Sequence, residues 1–164
     1  MGRDSYSNRW TVEDCKTITT KFLNKNNYFT GGVKRGEITW SLNGKNTGSI
    51  SIIVSMVKGD EYIRFQYMQT DRKKTAETTK LDYMARLSST PCYFGGRRWW
   101  FICPLDACHR RVGSLHLGRG KYFGCRHCLN LTYTSSQESH KHGRLFRDLG
   151  ITEKQAKMLF QRAC

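Results

Sequence analysis

The sequence is short of acidic residues. It contains 13 Asp and Glu against 28 Lys and Arg, which leaves a formal net charge of +15 at neutral pH. A chain this basic attracts polyanions, among which nucleic acid is the commonest, with anionic membrane surfaces and acidic proteins as further classes. The charge therefore favours a polyanionic partner, and it says nothing about the fold.

Other absences exclude whole classes of protein. The chain has only two prolines and no internal repeat, which excludes a Pro-rich linker and a repeat architecture. It has no apolar run long enough for a membrane helix, and its first residues lack the apolar segment of a secretory signal. We therefore expect a cytoplasmic protein with no membrane partner. Hydrophobic residues make up 38% of the chain, which is enough for a packed core and excludes a disordered polycation.

The first half of the chain contains two hydrophobic periods. Residues 11–24 have the helical period, since Ile18 and Phe22 are four residues apart and lie on one face of a helix. Thr11 can act as its N-cap, with Asp14 three positions later. We therefore predict an N-terminal helix.

From residue 37 onward, apolar and polar residues alternate. This alternation predicts four strands joined as an antiparallel meander, over residues 38–42, 50–56, 62–68 and 81–87. Such a sheet buries one face and exposes the other to water.

Four of the seven cysteines form two close pairs. Cys103 and Cys108 are separated by four residues, Cys125 and Cys128 by two, and sixteen residues lie between the pairs. Zn²⁺ favours a tetrahedron of such soft ligands, and two Cys-bearing turns joined by a hairpin supply it. The sequence predicts one zinc ion in a zinc ribbon, with the tip of the hairpin at residues 118–120. Because four thiolates leave no open position for water, we expect a structural ion that stabilises the fold and does no chemistry.

Alternative interpretations of the cysteines remain open. His109 and His127 adjoin ligand positions and could each replace one thiolate, or the four cysteines could be ordinary buried or free thiols. The remaining three have no partner at metal-binding spacing. Cys15 fits the core of the predicted helix, and we interpret Cys92 and Cys164 as structural or incidental.

These patterns divide the chain into three parts. Residues 1–90 are predicted to hold the helix and the meander, residues 91–136 the zinc ribbon, and residues 137–164 a helical tail. The boundary falls in residues 88–96, which contain a proline and a Gly pair. The predicted fold class is α+β: an N-terminal helix and a four-stranded antiparallel sheet, followed by a zinc-ribbon hairpin and a C-terminal helix over residues 152–163. This tail also admits a helix-turn-helix interpretation.

The ribbon concentrates the positive charge. Residues 97–147 hold ten Lys and Arg and only two acids. Guanidinium groups bind phosphates, and exposed aromatic rings stack on unpaired bases. The predicted nucleic-acid-binding residues are Arg97, Arg98, Arg110, Arg111, Arg119, Lys121 and Arg126. Alternatively, these cations only keep the module soluble. We expect the adjacent aromatic residues 99–101 to belong to the core, because a strand buries at least one of any two successive residues.

No catalytic set is recognisable. Five histidines lie in the C-terminal half, which raises the possibility of a nuclease, but Asp106 and Glu138 are the only acids in reach of them as possible metal ligands. The sequence also lacks a phosphate-binding Gly-rich loop and a nucleophile elbow. We therefore predict a protein that is not an enzyme.

The stretch STPCYFGGRRWWFICP, followed by CHRRV and YFGCRHCLNLTYTSSQES, resembles a family of small bacterial proteins without assigned activity. Members are often carried by mobile elements and phage, and they share a helix, a small sheet, a TPC-x-FGG motif and a C-terminal zinc ribbon with four cysteine ligands. The resemblance implies the same four cysteine ligands, and it implies no activity. This chain departs from the family in its first pair of cysteines, which are separated by four residues where two are commoner. The residues that match the motif before the first ligand are Pro91, Cys92, Phe94, Gly95 and Gly96.

Three functions follow from these features. The leading hypothesis is a non-catalytic zinc-ribbon protein that binds DNA, RNA or a nucleoprotein through its basic surface. The second is a protein-interaction factor of a phage or mobile element, which inhibits or recruits a nucleic-acid machine such as a bacterial CRISPR-type defence complex. The third is a nuclease, for which the sequence offers only scattered histidines.

Overall fold

The computed structural model describes residues 9–70 and 78–136, and the predicted helical tail lies outside them. The described residues are mostly antiparallel sheet. Their elements, in chain order, are β1 (Lys16–Thr19), α1 (Thr20–Lys25), β2 (Val33–Leu42), β3 (Lys45–Val57), β4 (Asp60–Thr70), β5 (Thr78–Pro91), β6 (Arg97–Ile102), β7 (Arg111–Val112) and β8 (Ser114–Leu117).

Strands β2 to β7 form one antiparallel sheet in the order of the chain. The four predicted strands are present as β2 to β5, each longer than predicted, and the sheet continues through β6 and β7. Strand β5 is shared: its first nine residues pair with β4, and its last five pair with β6. Because one long strand changes partner along its length, the sheet curls there. The segment 88–96, predicted as a boundary, is the end of β5 and the turn into β6.

The alternation of apolar residues determines which face of this sheet is buried. Paired positions point to the same side, and the buried pairs include Ile52 with Phe65, Ile63 with Ala85, and Leu87 with Phe101. The intervening residues are mostly polar and more exposed. The core therefore lies on one face of the sheet, as the period of two predicts.

The helix predicted over residues 11–24 is largely wrong. Residues 16–19 form β1, and only Thr20–Lys25 is helical, with Thr19 as the N-cap that accepts a hydrogen bond from the Phe22 N–H at 3.1 Å. The predicted Thr11 cap does bond to Asp14, at 2.5 Å between Oγ1 and Oδ2, but it closes a turn. The sequence KTITT is rich in β-branched residues, which favour a strand when a partner is available. Strand β8 is that partner.

A second layer covers the buried face of the sheet. It consists of β1, α1, β8 and the chain around Phe123, whose ring stacks on Phe65 with centroids 5.3 Å apart and meets Tyr67 edge to face at 5.9 Å. The Phe123 N–H donates to the Tyr83 hydroxyl at 2.7 Å. Ile18, Leu115 and Phe123 belong to the same core cluster as the sheet residues. The core is therefore shared by residues from both sides of the predicted boundary at 90.

Phe123→Ala tests this shared core. The side chain is fully buried between the layers, so its truncation should lower the free energy of unfolding by about 3–5 kcal/mol, which urea denaturation measures. Phe94→Ala is the matched control, because Phe94 is 97% exposed and its loss should leave stability unchanged. Equal effects of the two substitutions would contradict the two-layer core.

Candidate metal centre and basic surface

The first cysteine pair lies in a turn that follows β6. The Cys103 N–H donates to the Arg110 carbonyl at 3.0 Å, which extends the β6–β7 pairing to the start of the turn. Inside the turn, Ala107 and His109 have φ of 62° and 45°, in the left-handed region. Two left-handed residues let a spacer of four residues fold back on itself. The turn thus places Cys108 beside Cys103.

The second pair lies in a tighter turn at residues 125–130. The Cys128 N–H points to the Cys125 Sγ at 3.5 Å, and the Leu129 N–H donates to the Cys125 carbonyl at 3.1 Å. The Cys125 N–H in turn approaches the Cys103 Sγ at 3.4 Å, across the two turns. Backbone N–H groups directed at sulfur orient thiolate ligands and stabilise their charge.

Together the two turns form a cluster of four sulfurs. The Sγ atoms of Cys103, Cys108, Cys125 and Cys128 all lie within 4.8 Å of one another, and those of Cys108 and Cys125 are 3.7 Å apart. This arrangement can hold a metal ion. Over residues 9–70 and 78–136 it is the one group of three or more such side chains that can, and His109 and His127 are not members.

A strand contact and a glycine bring the two turns together. His116 in β8 and Gly124 exchange two backbone hydrogen bonds, at 2.8 and 2.9 Å, so the chain between the pairs folds back on itself; this is an isolated bridge and not the predicted two-stranded hairpin, because β8 pairs along its length with β1. At Gly124 a Cβ atom would lie 2.4 Å from the Leu105 side chain and 3.3 Å from that of Leu129. The bare glycine therefore lets the first turn pack against the second.

The electrostatics of the cluster favour a cation. Burial raises the pKa of the Cys103 thiol, whereas the Arg110 N–H and then the Cys128 side chain lower the pKa of Cys108 to about 7. Four thiolates within 4.8 Å repel one another strongly. A bound divalent cation offsets that repulsion, which is why metal binding to such a site releases protons.

Three of the seven predicted cations lie over aromatic rings. The guanidinium carbon of Arg98 is 4.2 Å from the centre of Trp100, that of Arg119 is 5.0 Å from Trp10, and that of Arg126 is 5.1 Å from Tyr133. The Arg119–Trp10 pair lines a cleft of about 390 Å³, together with Cys128 of the metal cluster. Within the described part of the chain, none of the seven cations is ion-paired with a carboxylate; the ion pair found there joins Arg64 to Asp82 at 2.6 Å.

The structure divides the basic residues between the faces of the sheet. Because Leu87 and Phe101 are buried, the alternate residues of β5 and β6 point to the opposite, outward face. From Arg86 onward, the residues of this face that carry charge or an indole ring are Arg86, Arg98, Trp100 and Arg111, and the earlier part of β5 adds Lys80 and Asp82. Arg97 belongs to the other side, and its Nε donates to the Ser89 Oγ at 2.8 Å.

The remaining cations lie in the ribbon turns. Arg110 is exposed beside the first turn, and Lys121 lies at the ribbon tip, where its carbonyl accepts from the Tyr67 hydroxyl. The seven residues therefore do not form one continuous row along a single strand. They are distributed over the outward face, the opposite side of β6 and the ribbon turns.

Sequence reasoning missed several members of these arrangements. Arg86 could have been found, because it precedes the buried Leu87 on an alternating strand. Nothing in the sequence pairs Trp10 with Arg119 or Tyr133 with Arg126, because only the folded chain brings each ring to its arginine. The preference for a core role of the aromatic run is confirmed for Phe101, which is fully buried. Trp99 packs on Phe29, with ring centroids 5.5 Å apart, and belongs to the margin of the core.

Comparison with known proteins leaves the family assignment as a prediction. No protein-family model, curated protein or solved structure matches the chain. Among the described residues, no helix is both long enough and apolar enough to cross a membrane.

Cys125→Ser tests the metal centre. Its thiol is fully buried at the centre of the cluster, and a structural metal of this kind contributes on the order of 10 kcal/mol or more to folding. The variant should therefore purify without metal and melt non-cooperatively, as measured by elemental analysis and circular dichroism. Cys92→Ser, at an exposed cysteine outside the cluster, is the matched control. Unchanged metal content and melting of Cys125→Ser would eliminate the site.

His116 provides a test of pH dependence. Its ring is buried between the hydroxyls of Thr17, 2.8 Å from Nδ1, and Ser114, 3.1 Å from Nε2. Burial, and then the charge of Arg126, lower the pKa of His116 below its ordinary 6.5. The unfolded chain therefore takes up a proton before the native state does, and the free energy of unfolding should fall as the pH falls below 6.5.

The matched comparison is His116→Gln, which keeps polar atoms but cannot titrate. Urea denaturation of both metal-loaded proteins at about pH 7.5 and pH 5.5 should show a smaller pH effect in the variant. Acid release of the metal is common to both proteins and cancels in this difference. The same loss of stability in both proteins would show that His116 does not contribute.

Proposed function

We propose that this chain is a non-catalytic zinc-ribbon protein that binds nucleic acid through its arginines. The support comes from two independent features, the four-sulfur cluster and the group of arginines that are stacked on aromatic rings. The net charge of +15 is consistent with the same partner.

Zinc is the ion that best fits the cluster. With Zn–S bonds of about 2.3 Å, a tetrahedral site has sulfurs about 3.8 Å apart, and the Cys108 and Cys125 sulfurs are already 3.7 Å apart. The donors are four soft thiols, with no carboxylate or water-binding group among them. When bound, zinc would supply folding free energy. A shell of four cysteines leaves no position for a reactive water, which supports a structural role for the site.

The observation that carries the nucleic-acid proposal is the pairing of Arg98, Arg119 and Arg126 with aromatic rings instead of carboxylates. A guanidinium that lies over a ring is held in place by cation–π attraction. The N–H groups at the edge of the planar guanidinium remain able to donate hydrogen bonds to a phosphate. Three arginines positioned in this way, with no acid paired to them in the described residues, suit an external polyanion.

The outward face of strands β5, β6 and β7 adds a second line of support. Arg86, Arg98 and Arg111 share this face with Trp100, whose indole N–H donates to the Thr90 hydroxyl at 3.0 Å. Between Asp82 and Asp106 the sequence has no acidic residue. By contrast, Arg64, further along the same sheet, is neutralised by Asp82. Apart from Asp82, which is paired with Arg64, strands β5, β6 and β7 contain no carboxylate, and their outward face combines fixed positive charge with an aromatic ring.

Salt dependence tests the proposal. The logarithm of the affinity for a DNA duplex should fall linearly with the logarithm of the salt concentration, with a slope of about −0.9 for each phosphate contacted. Arg98→Gln/Arg111→Gln should make that slope shallower by about 2, if each arginine contacts one phosphate. Fluorescence anisotropy over a salt series measures both values.

The control removes two charges elsewhere. Lys45→Gln/Lys58→Gln alters two exposed lysines, one at the β2–β3 turn and one at the β3–β4 turn, and should keep the wild-type slope. A slope that changes equally in both double variants would contradict a defined site and indicate general attraction. Binding that is independent of salt, or capture of a stoichiometric protein partner without nucleic acid, would favour the protein-interaction function. Metal-dependent cleavage of the probe would favour a nuclease.

A further inference from the structure

The turn between β5 and β6 presents two aromatic side chains to solvent. Tyr93 is 96% exposed and Phe94 is 97% exposed, whereas the next most exposed large apolar residue in the described chain, Met68, is at 74%. Aromatic rings usually bury most of their surface, and exposed apolar groups placed together commonly mark a binding site. Neither ring takes part in the core, so folding alone does not explain them.

The backbone of this turn is well defined. The Cys92 N–H donates to the Gly96 carbonyl at 3.1 Å, and the Gly95 N–H donates back to the Cys92 carbonyl at 3.1 Å. Gly95 and Gly96 have φ of 88° and 80°, which side chains other than glycine rarely adopt. These bonds and glycines close the hairpin tightly, and in the described part of the chain the two aromatic rings between them contact only each other.

The two rings meet edge to face, with centroids 5.1 Å apart and planes at 89°. In this arrangement each ring keeps at least one open face, as their exposure shows. An open aromatic face stacks on any nucleobase, because every base has a π surface. In a duplex the base faces are already occupied by stacking, so this contact is available to unpaired bases.

The charge around the turn identifies the class of partner. Arg97 and Arg98 follow the turn directly, and Arg98 is fixed over Trp100 at 4.2 Å. No acid lies in the sequence from residue 83 to residue 105. A protein partner for two bare rings would need only an apolar pocket, whereas bare rings beside fixed arginines match a strand that carries bases and phosphates together.

We infer that the β5–β6 turn is a site for single-stranded nucleic acid, in which Tyr93 and Phe94 stack on unpaired bases and Arg98 contacts the adjoining backbone. This inference rests on the proposed function and adds the substrate class to it. It gives the protein a preference for single strands that the arginines alone would not provide.

The test compares two probes with the metal-loaded full chain. Fluorescein-labelled dT20 and a duplex of dT20 with dA20 are titrated with the wild type and with Tyr93→Ala/Phe94→Ala. The variant should bind dT20 about tenfold or more weakly, given the usual contribution of one stacked base. Its affinity for the duplex should be unchanged. Since no charge is removed, the salt slope for dT20 should also be unchanged.

Two controls separate stacking from other effects. Tyr93→Phe/Phe94→Tyr keeps both rings and should retain wild-type affinity for dT20, and Met68→Ala removes an exposed apolar side chain without a ring and should do the same. Wild-type affinity of the double alanine variant for dT20, or an equal loss for both probes, would overturn the inference while leaving salt-dependent binding by the arginines intact. If the wild type binds neither probe, the proposed function itself fails.

Discussion

The contact of Phe123 with the sheet links the metal cluster to the rest of the fold. Phe123 stands two residues before Cys125, and both side chains are fully buried. The Phe123 ring lies among Trp40, Phe65 and Tyr67, while its N–H donates to the Tyr83 hydroxyl. A shift of Phe123 would therefore move the second cysteine turn away from the first. The core positions the ligands, and a bound ion would in return hold the ribbon on the sheet.

Under the proposed function, the positive charge of the ribbon has two different roles. Four thiolates and one divalent ion carry a formal charge of −2, and Arg110 and Arg126 adjoin the cysteine turns that would carry it. Both offset part of that charge in a loaded site, and Arg126, over the Tyr133 ring, also keeps N–H groups for an external phosphate. Arg98 and Arg111 lie instead on the outward face of the sheet, on strands that hold no ligand. Within residues 9–70 and 78–136 neither is paired with a carboxylate, so their charge is available to the phosphates of the proposed partner.

Sequence reasoning correctly predicted the elements that are determined by residues close together in the chain. Alternation gives the four strands β2 to β5, and close cysteine spacing gives the two turns, because each pattern acts within about ten residues. The prediction of an N-terminal helix was wrong because residues 16–19 form β1, which pairs with β8 about a hundred residues away. The curl at β5 and the Trp10–Arg119 pair have the same kind of cause, a partner that only the folded chain supplies. Periodicity over a short window contains no information about such partners.

The aromatic residues show why composition alone could not identify the site. One group, which includes Phe65 and Phe123, is buried and joins the two layers. A second group, with Trp100 as its clearest member, is half-buried and supports an arginine. The third, Tyr93 and Phe94, is almost fully exposed, and among the described residues its rings contact only each other. All three groups contribute alike to the aromatic content of the sequence, and only their exposure separates packing from a surface that a ligand can use.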